Sequence, residues 1–137
     1  MFLAVCRGRK CCTGRGRRFG RVGDTLTCRR DYGSGTVELR LPITTQIRTT
    51  QEKIARHLWK QEGFESEADY IQKVTELHNR IHRRWHHPEK PLDANQKRWV
   101  HWFHHKPMPK SLWRKLVVKG VTEVQTTKQL SFGGGAF

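Results

Sequence analysis

The hydrophobic period of this chain changes partway along its length, and that change sets its fold class. Val37, Leu39 and Leu41 alternate with Glu38 and Arg40, the period-two pattern of a strand with one buried and one wet face. Beyond Thr50 the spacing turns helical. Tyr70, Ile71, Val74, Leu77, Ile81 and Trp85 recur three or four residues apart after the first pair, which predicts one apolar stripe facing a core. Strands followed by helices in one short chain predict an α+β fold.

Turn and cap residues divide the chain further. Asp24 to Arg30 and Thr36 to Ile47 read as strands, and Asp31-Tyr32-Gly33-Ser34-Gly35 supplies a hairpin turn between them. Thr50 can cap a helix over 51–61 that Gly63 ends, while Ser66 with Asp69 forms a capping-box pattern for a helix over 66–85. Pro88 and Pro91 stop that helix. Asp93 is placed to cap a third helix over 94–105, which Pro107 and Pro109 terminate. Residues 112–124 read as a strand or two around Gly120 that close the sheet, leaving 86–111 as a basic helical insertion. The tail 125–137, with Gly133-Gly134-Gly135, has little to bury and is expected to be flexible.

The 137 residues suffice for one domain with a single core. No run of about 18 apolar residues exists to span a membrane, and the apolar stretch Met1 to Cys6 lacks the length of a secretory signal. An intracellular protein, cytoplasmic or organellar, is expected. Cys6, Cys11, Cys12 and Cys28 form no CxxC pair and read as free thiols, with the adjacent Cys11 and Cys12 on opposite faces of an extended segment.

Lys and Arg number 27 against 12 Asp and Glu, a net charge of +15 that implies a polyanionic partner, with RNA the leading candidate. A first basic patch holds Arg9, Arg15, Arg17, Arg18 and Arg21. A second holds Arg83, Arg84, Lys97 and Arg98, interleaved with Trp85, Trp99, Trp102 and Phe103. Rings stack on unpaired bases while cations hold phosphates, so this mixture suits RNA. The competing reading places Trp99 and Trp102 on one helix face, in the core. His78, His82 and His86, like His101 and His105, have the helical spacing that can bind zinc, but no Cys pair or Glu completes a set. No metal and no cofactor is assigned.

Gly8-Arg9-Lys10-Cys11-Cys12-Thr13-Gly14-Arg15 has the spacing GxKxxTxR, which resembles the signature of ASCH domains, small barrels of the PUA-like superfamily. Gln61-Glu62-Gly63-Phe64-Glu65-Ser66 is similar to an EGFxS segment that the family carries between two helices. The resemblance spans roughly residues 1–78 and implies that 1–85 is a PUA-like β-barrel with flanking helices, closed by a strand within 112–124. Relatives of this kind bind RNA or act on nucleosides. In those that remove the acetyl group from the exocyclic amine of acetylcytidine, the signature Lys and Thr work with a Glu of the helical segment, and the matching residues here are Lys10, Thr13 and Glu62.

Amide hydrolysis needs a nucleophile, a proton acceptor and a proton donor within reach of one another. Thr13 would attack or position water, Lys10 would take the proton, Glu62 would orient the substrate or shuttle a proton, and Arg15 would stabilise the oxyanion. Against this stands a plainer assignment, with Lys10 a phosphate contact, Thr13 a strand residue and Glu62 solvated at a helix end. The first reading of the whole chain is therefore an RNA-binding protein, its basic extension suited to a ribonucleoprotein such as a ribosome. The alternative is an amidohydrolase of acetylated cytidine, as nucleoside or in RNA. A DNA-binding module shares the charge but lacks a helix-turn-helix or zinc-finger pattern.

Overall fold

Residues 8–33, 35–88 and 91–127 are described by a computed structural model of the chain. The described strands are β1 (Cys12–Arg15), β2 (Thr25–Tyr32), β3 (Gly35–Pro42), β4 (Thr45–Thr50), β5 (Lys97–Trp102) and β6 (Val124–Thr126). The helices are α1 (Gln51–Leu58), α2 (Glu67–Arg84) and the short α3 (Lys110–Trp113), which runs into a 3-10 turn at Arg114–Leu116. The α+β expectation holds. The strands form two antiparallel sheets, one in the order β1-β5-β4-β6 and the other the β2-β3 hairpin.

Among the described residues neither sheet closes into a barrel. The larger sheet ends on β1 at one side and β6 at the other, and β2 and β3 pair only with each other. The expected strand over 36–47 splits because its register changes partners. Ile43 N–H bonds back to Asp24 O at 2.8 Å, closing the hairpin, whereas the Thr44 N–H turns to Trp102 O at 2.9 Å and starts the other sheet.

The third helix expected over 94–105, within the helical insertion, is instead the strand β5, paired with both β1 and β4. Trp99, Val100 and Trp102 are aromatic or β-branched types that suit a central strand better than a helix, and Val100 and His101 are fully buried there. Asp93 acts in a turn, accepting from Asn95 N–H through its side chain at 2.9 Å and from Gln96 N–H through its carbonyl. In a strand Trp99 and Trp102 point to opposite faces. Trp102 is core, its Nε1–H donating to Lys106 O, whereas Trp99 is half-buried under the Arg18 guanidinium at 5.2 Å. His101 and His105 likewise lose their shared helical face.

Residues 112–124 also differ from expectation. Leu112 and Trp113 belong to α3, Leu116 ends the 3-10 turn fully buried, and the closing strand comes later as β6. Residues 125 and 126 of the expected flexible tail are part of that strand, and the tail from 128 lies outside the described residues, as does the stretch Met1 to Arg7.

α1 starts at the predicted place, with Thr50 in extended backbone but no side-chain cap bond. α2 is capped as its sequence predicts: Ser66 Oγ accepts from Asp69 N–H at 3.0 Å, and Asp69 Oδ2 accepts from Glu65 N–H at 3.0 Å. The core joins Cys12, Ile47, Val100 and Trp102 of the sheet with Ile54, Ala55 and Leu58 of α1, Tyr70 of α2, Met108 and Leu116. Of the predicted α2 stripe only Tyr70 is buried. Val74 is half-buried, while Ile71, Leu77, Ile81 and Trp85 are exposed, because only the first turns of this helix meet α1 and the sheet. No helix of the described residues is long and apolar enough to cross a membrane.

This division of α2 is measurable. Ile47→Ala, in the fully buried centre of β4, should cost about 2–5 kcal/mol in urea unfolding. Ile81→Ala, on the outer half of α2, should change stability by less than about 0.5 kcal/mol.

Candidate functional site

A glycine cap at the end of α1 brings the two sequence motifs together. Beyond Leu58 the chain winds once more and closes with Gly63 N–H on Lys60 O and Phe64 N–H on Trp59 O, both at 3.0 Å. Gly63 sits at φ 93°, the left-handed conformation that such a cap requires and glycine adopts without strain. The cap reverses the chain at Glu62 and presents both its carbonyl and its side chain to the strand β1. Cys11 N–H then bonds Gln61 O at 2.8 Å, and Phe103 N–H bonds Cys11 O at 2.9 Å, fixing the start of β1 between the cap and the end of β5.

Lys10 and Glu62 meet at this junction. Lys10 Nζ donates to Glu62 O at 3.2 Å and lies 3.7 Å from Glu62 Oε1, with only 9% and 7% of the two side chains exposed. Gly14 N–H donates to the same Oε1 at 3.0 Å. Glu62 Oε2 is buried without a hydrogen bond of normal geometry. Across β1, Arg98 donates through Nη2 to Gly14 O at 3.1 Å, while its Nε is buried and unpartnered. Glu62 is thus neither solvated nor a bystander.

These groups line a cleft of about 320 Å³, which Thr13, Gly14, Arg15 and Tyr70 also border and which Val74 and Leu77 of α2 flank. Thr13 is buried on β1. The Tyr70 hydroxyl accepts from Gln51 Nε2 at 2.8 Å, and its ring packs edge-on against Phe64 at 5.0 Å. Burial raises the Tyr70 phenol above its ordinary pKa, the Glu62 carboxylate raises it further, and the Gln51 bond and Arg98 oppose them. Tyr70 therefore serves as a neutral hydroxyl. Burial likewise pushes the Cys11 thiol up to about 11 and Cys12 well above the usual thiol range, so neither is a thiolate nucleophile at neutral pH.

A second, smaller cleft of about 240 Å³ shares Thr13 and Arg15 with the first and is completed by Phe19, Leu26, Thr27 and His101. His101, fully buried in β5, accepts from Phe19 N–H through Nε2 at 2.9 Å, which fixes it as the neutral tautomer protonated at Nδ1. Its pKa is lowered mainly by burial and further by Arg15 and Arg18, with the Thr13 backbone opposing.

The remaining predicted site residues divide by exposure. Arg9 is exposed and pairs loosely with Glu65 at 3.9 Å. Arg17 is exposed, 5.4 Å from the Phe19 ring centre, and Arg21, Arg83, Arg84 and Lys97 are exposed. Arg18 is half-buried instead, bonding Gln46 Oε1 at 2.8 Å and Gln125 Oε1 while covering Trp99. Arg98 belongs to the cleft rather than to an outer basic patch. Tyr70, Gln51 and His101 were not legible as site residues, since each is an ordinary core-facing position until the sheet pairs.

Burial of these groups can be tested in two ways. Lys10→Met strands the Glu62 carboxylate and Glu62→Gln strands the ammonium, so each should cost about 3–5 kcal/mol, and the double variant should cost clearly less than their sum in urea unfolding. His101 is held below the unfolded imidazole value of about 6.5. Its stabilising contribution is therefore complete above that pH and is lost as pH falls through the lowered value. His57, also lowered by burial and by Lys53, shares that window. His101→Gln should accordingly reduce, not abolish, the loss of stability between pH 7 and pH 5. The chain matches no protein-family model, no curated protein and no solved structure, so the chemistry of the cleft rests on its own residues.

Proposed function

We propose that the cleft is an amidohydrolase site acting on an acetylated exocyclic amine of a cytidine, and that the chain is an ASCH-type, PUA-like domain. One observation carries this reading. Lys10, Thr13 and Glu62, the residues that the family resemblance singles out, line a single cleft although Lys10 and Glu62 stand 52 positions apart in sequence. Phosphate-contacting lysines and solvated helix ends have no reason to be buried together.

In the reaction the Thr13 hydroxyl oxygen attacks the acetyl carbon and its proton passes to the Lys10–Glu62 pair. Arg15, at the rim of both clefts, faces the charge that develops on the carbonyl oxygen. The C–N bond then breaks, and the pair returns the proton to the departing amine. Water, activated by the same pair, releases acetate from Thr13. The neutral Tyr70 hydroxyl and the Phe64 ring form one wall of the site.

A second reading, RNA binding, is favoured by a separate observation. Arg17, Arg21, Arg83, Arg84 and Trp85 are exposed, Trp85 at 69%, on a chain of net charge +15. The two readings are compatible if the acetylated cytidine lies within RNA, in an intracellular ribonucleoprotein.

Incubation with acetylcytidine, free and within a short RNA, should release acetate. Thr13→Val, nearly isosteric, should keep the fold and abolish turnover, while Thr13→Ser should retain it in part. Glu62→Gln should lower the rate about 10²- to 10⁴-fold if Glu62 moves a proton. A folded protein that turns over neither substrate rejects the hydrolase. Arg17→Ala with Arg21→Ala should weaken RNA binding for all sequences and flatten the salt dependence by about one slope unit for each phosphate no longer held.

A further inference from the structure

We propose that Arg98 reads the 2-oxo group of the pyrimidine base held in the cleft, making it the residue that selects a cytosine-type substrate. This rests on the amidohydrolase reading and adds to it the group that recognises the base.

Three observations point to this role. Arg98 Nε is buried without a hydrogen-bond partner, and Glu62, whose carboxylate also interacts with the Tyr70 hydroxyl, has its Oε2 buried without a hydrogen bond of normal geometry, a donor and an acceptor on residues that line one cleft. A buried unmade bond of a charged group is costly, so such a pair persists where a ligand completes it. The two side chains nonetheless do not neutralise each other. Glu62 pairs with Lys10, and Arg98 is tied through Nη2 to Gly14 O. Gly14 stands between them, its missing Cβ lying 3.8 Å from Arg98 Nε and 3.9 Å from Glu62 Oε1. Ile54 Cδ1 also comes within 3.4 Å of that position, so a Cβ at residue 14 would press on Ile54, Arg98 and Glu62 together.

A ligand that satisfies both must offer an N–H and, further along the same edge, an acceptor oxygen. An N-acylated cytosine does so: its amide N–H meets Glu62 Oε2, beside the carbonyl under attack, and its 2-oxo group meets Arg98 Nε–H. An adenine acylated on its exocyclic amine carries C2–H, not an oxygen, at the corresponding place. Arg98 makes no bond to the reacting atoms and so acts as a positioning residue.

The test compares two substrates with two proteins. N4-acetylcytosine and 4-acetamidopyrimidine differ at the 2-oxo group and share the scissile amide. Full-length wild type and Arg98→Lys are assayed for acetate release with each, the lysine retaining a positive charge and a donor for Gly14 O. Arg98→Lys should lower kcat/KM for N4-acetylcytosine about 10- to 100-fold, mostly through KM, and change that for 4-acetamidopyrimidine by less than about threefold. An equal loss on both substrates, which a merely structural role would produce, overturns the proposal, as does no loss on either. Wild-type turnover of N4-acetylcytosine in either case leaves the hydrolase standing. A folded wild type that hydrolyses neither substrate removes both.

Discussion

The buried contact between Lys10 and Glu62 is the interaction on which the arrangement of the molecule depends. Removing two charges from water costs several kcal/mol per ion, and attraction alone offsets it only with good hydrogen bonding around the pair. Here the offset comes from the backbone. Glu62 receives the Gly14 N–H, and Lys10 is held by the Glu62 carbonyl as well as the carboxylate. A side-chain pair is thereby also a joint between the first strand and the cap of the first helix.

The sheet behind that joint has several buried polar side chains, and some of them connect segments far apart in sequence. Gln46 Nε2 bonds Phe19 O and Gly20 O, holding the loop after β1. Thr45 Oγ1 pairs with Thr126 and accepts the Met108 N–H, tying β6 and the approach to α3 to the central strand. Thr44 Oγ1 donates to His104 O at 2.7 Å beyond the end of β5. Such groups are tolerated because they are satisfied, and they fix the register of a sheet that apolar packing alone would leave free to slip. Two of the unsatisfied ones, on Arg98 and Glu62, meet at the cleft.

Charge and cleft then serve different ends. The exposed arginines act over a distance and favour any polyanion, whereas the cleft offers a few fixed groups with defined donors and acceptors. A protein that recognised only RNA backbone would need the first and not the second. On the function proposed above, the two would act together on a base presented by a longer anionic strand; the rings of Phe19 and Trp85 are exposed on the surface.

Local chemistry determined what the sequence could show. The β2-β3 hairpin, the Ser66 and Asp69 cap, the left-handed Gly63 and the two motifs GxKxxTxR and EGFES are each set by residues a few positions apart, and all were legible. The buried face expected of β3 was not: Val37 is exposed and Leu39 and Leu41 are only half-buried, because the hairpin does not join the larger sheet. Lys97 to Trp102 was not, because Asp93 and the flanking prolines imitate helix boundaries, and only pairing with both β1 and β4 makes a strand of it. The α2 stripe read as core because its period is right, yet periodicity says which residues share a face and not whether anything covers it. Tertiary structure alone decided that Ile81 and Trp85 stay exposed, that Arg98 turns from a surface cation into a wall of the cleft, and that Glu62 is buried. Burial and partnership at those positions are long-range properties, fixed by segments far away in sequence, which no local pattern encodes.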